Sequence, residues 1–547
     1  MMSSSTMPAV GQHGMVASSQ PAASAAGLEI LREGGTAVDA ALAMNAVLAV
    51  TEPYMCGPGG DFFALIWSPT EGRVLGLNAS GRAPAGRFLA NIKDALGDAP
   101  AMPMRGPHCV TLPGAVDGWC DIHARFGRLP LSRVMAPAIA AARTGFTVQP
   151  VTARGWALAL DEIYADPHAH DGIEAFKAMF TLEGAAPAAG ATLRNPALAD
   201  TFELIAREGR RGFYAGDLGQ ALLARMAAAG APFSQNDLAS VKSDWVAPLS
   251  TVYRGHEIYA LPPNGQGAAL LQMLNLMSEA PPPSRRDDAA WWHWFIEAKK
   301  LAFADRARYY ADPAFAPGPI TELIAPAYAA KRAGLINPLQ AAADFPPGLL
   351  PGTDTTYFCA ADDAGLVVSC IQSIFNAFGS TVVVPEGGFA LHSRGAGFAL
   401  DPAHPNVYAP GKRPFHTIMP GFATRDAAPR LAFGVIGADM QPQGQAQVLS
   451  NLLDFGCDVQ TAGALPRLRH VGGAQPNGER AASVVWHDAD YSPAVLAGLA
   501  ARGHDLHVVT PAQGNFLGGY QGMLCNGARH RFEGGSDPRF DGCALGY

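Results

Sequence analysis

Residues Phe345-Pro346-Pro347-Gly348-Leu349-Leu350-Pro351-Gly352 cannot continue a helix or a strand, so the chain must leave them as a loop. Beyond that loop, after Asp354, come Thr355-Thr356-Tyr357-Phe358-Cys359-Ala360-Ala361, a turn Asp362-Asp363-Ala364-Gly365, and Leu366-Val367-Val368-Ser369-Cys370-Ile371-Gln372-Ser373. Two runs rich in β-branched and aromatic residues around an Asp/Gly turn predict a hairpin. A threonine at the mouth of a strand has an ordinary explanation, because β-branched residues favour strands. Local chemistry alone therefore makes Thr355 structural. Only the rest of the chain changes that reading.

The hairpin lies late in a chain of 547 residues, enough for two or three ordinary domains or one large layered domain. A content of 49% hydrophobic against 16% charged residues predicts a large dry core. The formal charge of -8, with no basic cluster, argues against nucleic acid as a partner. The longest apolar run, Ala37 to Val50, is too short to span a bilayer and carries Asp39, so no membrane association is expected. Met1-Met2-Ser3-Ser4-Ser5-Thr6 has neither a basic segment nor an apolar one, and the eight cysteines include no Cys-x-x-Cys pair. Free thiols and no visible export signal predict a cytoplasmic protein.

Several further segments carry information in their order. They are Gly27-Leu28-Glu29-Ile30-Leu31-Arg32-Glu33-Gly34-Gly35-Thr36-Ala37-Val38-Asp39, the turn Thr111-Leu112-Pro113-Gly114, and the helical run Glu297-Ala298-Lys299-Lys300-Leu301-Ala302-Phe303-Ala304-Asp305-Arg306. With Thr355-Thr356 following, the chain resembles the γ-glutamyltranspeptidase family of N-terminal-nucleophile (Ntn) hydrolases over nearly its whole length. The resemblance implies an α/β fold, the four-layer αββα sandwich of that class. It also implies a cut between Asp354 and Thr355, giving a large fragment 1–354 and a small fragment 355–547 that remain together as a heterodimer, open to further dimerisation. Thr355 would be the nucleophile and Ser373 a hydroxyl bonded to it. Gly434-Val435-Ile436-Gly437-Ala438-Asp439-Met440-Gln441 would be the oxyanion loop, with the N–H groups of Gly437 and Ala438 as donors. Ala438 stands where relatives have a second glycine, which suits a donor as long as its φ is negative.

The chemistry requires an N-terminal threonine because a free hydroxyl is a poor nucleophile. Cutting before Thr355 frees an α-amino group that titrates at ~7.7–8.0 and can take the hydroxyl proton. One hydroxyl would then serve both autocleavage and turnover.

The recognition residues depart from the family's glutamate-binding set. In Asn78-Ala79-Ser80-Gly81-Arg82-Ala83-Pro84 the arginine that holds a glutamyl carboxylate is shifted by two, to Arg82. Phe375 replaces an Asn and Gly397 an Asp that holds the substrate amine, whereas Arg394 stands where relatives have an uncharged polar residue. His416 and Thr417 occupy two serine positions. Arg394, Arg82, His416, Thr417 and Asn376 are therefore the expected contacts of a small anionic acyl group. This pattern is most similar to the amidohydrolase branch that includes oxamate amidohydrolase, and it implies a small-molecule amide substrate. A γ-glutamyl hydrolase or transpeptidase, or an acylase, is the alternative within the same chemistry, and a non-catalytic binding protein the alternative outside it.

Other features read as structure. Met55-Cys56-Gly57-Pro58-Gly59-Gly60-Asp61 lacks the Lys-Ser/Thr of a phosphate cradle, so its glycines signal close backbone approach, with a lining role at the active site implied by the resemblance. His168, His170 and Asp171 lie in a polar loop without a third well-placed ligand, and neither a metal nor a cofactor is expected. Trp291, Trp292, Trp294 and Phe295 read as core and interface.

Overall fold

A computed structural model describes residues 7–169, 172–343, 355–477, 480–510, 513, 516–526 and 531–547. Asp354, the linker before it, His170 and Asp171 fall outside the described residues. Two seven-stranded antiparallel sheets form its centre. One runs in the order Ala9–Gly11, Arg531–Ser536, Tyr520–Asn526, Ala428–Val435, Gly421–Arg425, His256–Ala260, Leu249–Tyr253. The other runs Cys543–Gly546, Met15–Ser18, Thr356–Ala361, Val367–Ser373, Asp61–Ser68, Arg73–Ala79, Asp244–Val246. Both sheets draw strands from before and after Thr355.

The sheets pack face to face, with Thr356–Ala361 and Val367–Ser373 meeting Ala428–Val435 across the interlayer. Helices Pro21–Arg32 and Ala37–Thr51 cover the second sheet, and Gly267–Ser278 and Met440–Leu453 cover the first. This is the expected four-layer αββα sandwich. Strands covered on both faces follow from it: every residue of Asp61–Ser68, Thr356–Ala361 and Val367–Ser373 is buried.

Local signals agree with the global arrangement. Thr36 and Asp39 form the reciprocal capping box that their spacing predicts, opening a helix buried all round. The tryptophan-bearing helix spans Ala289–Tyr309, with Trp291, Trp292 and Phe295 in the core. The hairpin is in register, Thr356 opposite Gln372, and Ser373 lies opposite Asp61 on the next strand. That register brings Thr355, Ser373 and Asp61 to one end of three neighbouring strands.

Candidate active site

Thr355 is fully buried at the entry to its strand. Its Oγ1 lies 3.4 Å from Ser373 Oγ and 3.4 Å from Gln441 Nε2, which donates to it. Gln441 stands in the first turn of Met440–Leu453 and accepts from the Met419 amide through its Oε1 at 3.0 Å, so its amide is oriented with the nitrogen toward Thr355. Thr356, whose side chain points to the other face of the strand, is braced from behind. Its Oγ1 meets Ser19 Oγ at 3.1 Å and Glu52 at 3.2 Å, and Glu52 also accepts from Ser19 and from Gln20. Burial pushes the Glu52 carboxyl up to about 7, against the hydrogen bonds from Ser19, Gln20 and Thr356.

The loop at Gly437 and Ala438, expected to receive the oxyanion, is tied to the same centre. Gln441 N donates to Ala438 O at 3.0 Å, and Gln266 Nε2 bridges Ala438 O at 2.8 Å and Thr417 O at 2.6 Å. Arg306, wholly buried, holds Gln266 Oε1 and both oxygens of Asp439 from beneath. Gly437 has φ of +106° and Ala438 φ of +47°. The expectation of a negative φ at Ala438 is overturned: the alanine sits in the left-handed region, a strain of about 1–2 kcal/mol that the bonds to its carbonyl oppose.

On the other side of Ser373 stands a charged wall. Arg394 Nη2 donates to Ser373 Oγ at 3.3 Å, and Nη1 to Thr417 Oγ1 at 2.9 Å. The Phe375 ring stacks on the guanidinium at 4.0 Å. Behind them Asp61 gathers cations and donors: His416 Nε2 at 2.9 Å, His392 Nδ1 at 3.2 Å, Gly81 N at 2.7 Å and Arg394 Nε at 3.9 Å. All four side chains are fully buried. Burial alone would raise the Asp61 carboxyl, but His392 and His416 outweigh it and hold it well below the usual carboxylate range. Burial, reinforced by Arg394, lowers His416 to about 3 despite Asp61. His416 Nδ1 accepts from Ile418 N at 3.3 Å, so Nε2 carries the proton that it shares with Asp61. The pair is thus an ionised carboxylate and a neutral imidazole. Burial brings Arg394 down to about 9, and Asp61 limits the fall.

Of the residues singled out from sequence, Thr355, Ser373, Arg394 and Thr417 join in one hydrogen-bonded chain, and His416 supports it through Asp61. Asn376 is buried nearby, its amide bonded to Ser393 Oγ at 3.3 Å and its side-chain oxygen without a hydrogen-bond partner among the described residues. Arg82 is not brought to this chain. Its guanidinium reaches Asp244 at 3.3 Å, Asp312 at 3.4 Å and Gly411 O at 3.2 Å, and is about one-third exposed. Arg82 lies beyond the end of the strand Arg73–Ala79, in an ion network with half-exposed Asp244 and buried Asp312. His168 is exposed, as expected of a polar loop.

Sequence reasoning passed over Asp61, His392, Gln441, Gln266 and Glu52. Asp61 had a signal in the Gly59-Gly60 pair preceding it. A Cβ on Gly59 would stand 2.2 Å from Ala390 O, and one on Gly60 2.5 Å from Ser373 O. The glycines let this turn press against the strand end and deliver Asp61 to Arg394. The others are single polar residues whose role is created by tertiary contact. A further polar trio, His293, Glu297 and His504, has the donor types of a metal site, but Lys300 Nζ already pairs with Glu297 at 2.7 Å.

The family model described as Gamma-glutamyltranspeptidase matches residues 23–547. The chain is 34% identical to a glutathione hydrolase-like YwrD proenzyme of Bacillus subtilis, covering 98% of this chain and 99% of that one. It is equally 34% identical to an oxamate amidohydrolase proenzyme of Klebsiella pneumoniae, with the same coverage of 98% and 99%. The crystal structure of a cephalosporin acylase from Bacillus halodurans superposes with a TM-score of 0.92 at 37% identity, over 100% of this chain and 97% of that one. Among the described residues no helix is long and apolar enough to cross a membrane. The chain belongs to the γ-glutamyltranspeptidase family and is an amide hydrolase of the Ntn type.

Proposed function

We propose that the protein matures by cutting itself before Thr355 and then hydrolyses the amide of a small carboxylate-bearing substrate. The observation that carries this reading is Arg394: a fully buried guanidinium, separated from Thr355 Oγ1 by the single hydroxyl of Ser373. Its two terminal nitrogens donate to neutral hydroxyls, and with Asp61 3.9 Å away on the Nε side, that terminal fork is the edge that can meet an incoming carboxylate by two parallel hydrogen bonds.

In turnover the freed α-amino group of Thr355 takes the hydroxyl proton as Oγ1 attacks the amide carbonyl. The N–H group of Gly437 receives the oxyanion, a donor of this kind being worth about 3–4 kcal/mol; Ala438, whose φ is positive, does not meet the condition set for a second donor. The α-ammonium returns its proton to the leaving nitrogen, and the C–N bond breaks to leave a Thr355 ester. Water, deprotonated by the same amine, attacks the ester and releases the carboxylic acid. Gln441 and Ser373 orient Oγ1. Asp61, His392 and His416 hold the Arg394 side of the pocket.

Phe375 and Gly397 place no carboxylate where a glutamyl amine would need one, which argues against glutathione as the substrate. The similarity to an acylase structure leaves a larger leaving amine within reach of the same acyl pocket. Two associated fragments, 1–354 and 355–547, follow from the mechanism. Eight unpaired cysteines, most of them buried, suit a reducing cytoplasm. Edman sequencing of the purified protein tests the first step: the smaller fragment should begin at Thr355, and an uncut chain or any other start would sink the mechanism.

A further inference from the structure

We infer that the side-chain amide of Gln441 is a catalytic donor, its Nε2 receiving the oxyanion alongside the Gly437 N–H. This rests on the reading of Thr355 as the nucleophile and gives Gln441 a second task beyond orienting Oγ1.

Gln441 is fully buried, and its Nε2 lies 3.4 Å from Thr355 Oγ1. A primary amide carries two N–H groups. One donates to Oγ1, and the other meets no hydrogen-bond acceptor among the described residues. A buried N–H without an acceptor is costly, and the reaction itself supplies one. In the tetrahedral intermediate the oxyanion and Oγ1 share one carbon, about 2.3 Å apart by ordinary carbon–oxygen dimensions. A nitrogen 3.4 Å from Oγ1 therefore comes within reach of an oxyanion formed on the Gly437 side, at the roughly 2.7–3.1 Å that such a donor needs. Its bond to the neutral hydroxyl is long, so most of its worth appears only as charge develops.

The amide is held with its nitrogen inward. Its Oε1 accepts from Met419 N at 3.0 Å, and Gln445, one helical turn on, donates to Met419 O at 2.8 Å. The two glutamines grip one backbone residue by both of its polar groups. The Gln441 backbone N–H donates to Ala438 O at 3.0 Å, which ties the first turn of Met440–Leu453 to the loop that carries Gly437. On another face of the same helix, Gln443 bonds both backbone groups of His470, and Gln447 both of Leu468. The helix is thereby fixed on two sides. A donor fixed in this way needs no reorganisation at the moment of reaction. An orienting role accounts for one N–H of Gln441, and the oxyanion accounts for the other.

Hydrolysis of malonamate and of its thioamide by the matured protein separates the two roles. A sulfur anion is a weak hydrogen-bond acceptor, so loss of an oxyanion donor slows the amide and spares the thioamide, whereas loss of Oγ1 orientation slows both alike. Gln441→Glu keeps an acceptor for Met419 N, and Gln441→Met keeps the length of the side chain. Each should lower kcat for malonamate by roughly 10²–10³-fold with little change in KM, and shrink the amide-to-thioamide ratio of kcat/KM by about tenfold or more. An unchanged ratio in both variants would overturn the inference. A crystal structure of the wild type with methylboronic acid bonded to Thr355 Oγ1 decides the matter if neither variant matures. A boronate oxygen within about 3.2 Å of both Gly437 N and Gln441 Nε2 is expected, and an Nε2 more than about 4 Å from that oxygen would overturn the inference while sparing the nucleophile. A wild-type chain that stays uncut and takes up no boronate would overturn both.

Discussion

The two sides of Thr355 are built from different materials. On the side of the chemistry stand Ser373, Gln441 and the Gly437–Ala438 backbone, all uncharged. On the proposed side of recognition stand Arg394, Asp61, His392 and His416, four fully buried polar side chains. A buried charge is costly unless paired, so a wall of this kind persists only as a mutually supporting cluster. The contrast separates what the fold does to any amide from what this chain does to its own substrate.

Disabling the chemical side should give the largest effect. Thr355→Ala should leave one full-length band on a denaturing gel and lower amide turnover by at least about 10⁴-fold, the scale of nucleophile loss in triad hydrolases. A cut band from that variant would move the nucleophile elsewhere. Challenging the recognition side with the family's usual donor should give the next largest effect. Release of p-nitroaniline from its γ-glutamyl derivative should run at least about 10²-fold below the best small anionic amide in kcat/KM, because the donor's ammonium would be desolvated without a carboxylate. Comparable rates would erase the distinction between this wall and a glutamyl site.

The histidine behind Arg394 should report through stability. His416 is held near a pKa of about 3 when folded, against 6.5 when exposed, so the unfolded chain binds more protons between those values. Its contribution is fully present above pH 6.5 and is lost as pH falls through that window. Asp61, held low by the same contacts, weakens the fold only below the ordinary carboxylate range. His416→Asn should therefore cost about 1–3 kcal/mol at pH 7, the scale of one hydrogen bond to a charged group, yet show a shallower fall in Tm from pH 7 to pH 4 than the wild type. An equal slope in both proteins would mean that His416 titrates normally. Arg82→Lys should change least. With its guanidinium bonded to Asp244, Asp312 and Gly411 O and not to the Thr355 chain, kcat/KM should stay within about twofold. A tenfold loss would return Arg82 to the binding site.

The chemical side was legible because its parts are local. A strand opened by Thr355 after a Pro/Gly linker, and a Gly-rich strand-to-helix turn at Gly437, announce themselves in a few consecutive residues. Ser373 followed from its place at the end of the paired strand. The recognition side was half legible. Arg394 and Thr417 stood out by position, whereas Asp61 and His392 acquire meaning only when the tight Gly59-Gly60 turn and the loop at Ala390 meet. Arg82 failed for a related reason: an arginine two residues along an extended segment looks equivalent in sequence, yet its partners are Asp244 and Asp312. The positive φ at Ala438 was invisible, since nothing in its residue type asks for it.

Steady-state kinetics of Arg394→Lys on malonamate and on a neutral amide of the same size join the two sides in one experiment. Lysine keeps the charge but loses the planar fork. The small fragment should still begin at Thr355, with kcat/KM unchanged for the neutral amide and a rise in KM of roughly 10²-fold for malonamate, the scale of one lost charged hydrogen-bond pair. Equal kcat/KM for malonamate in the variant and the wild type, with both proteins cut at Thr355, would contradict it.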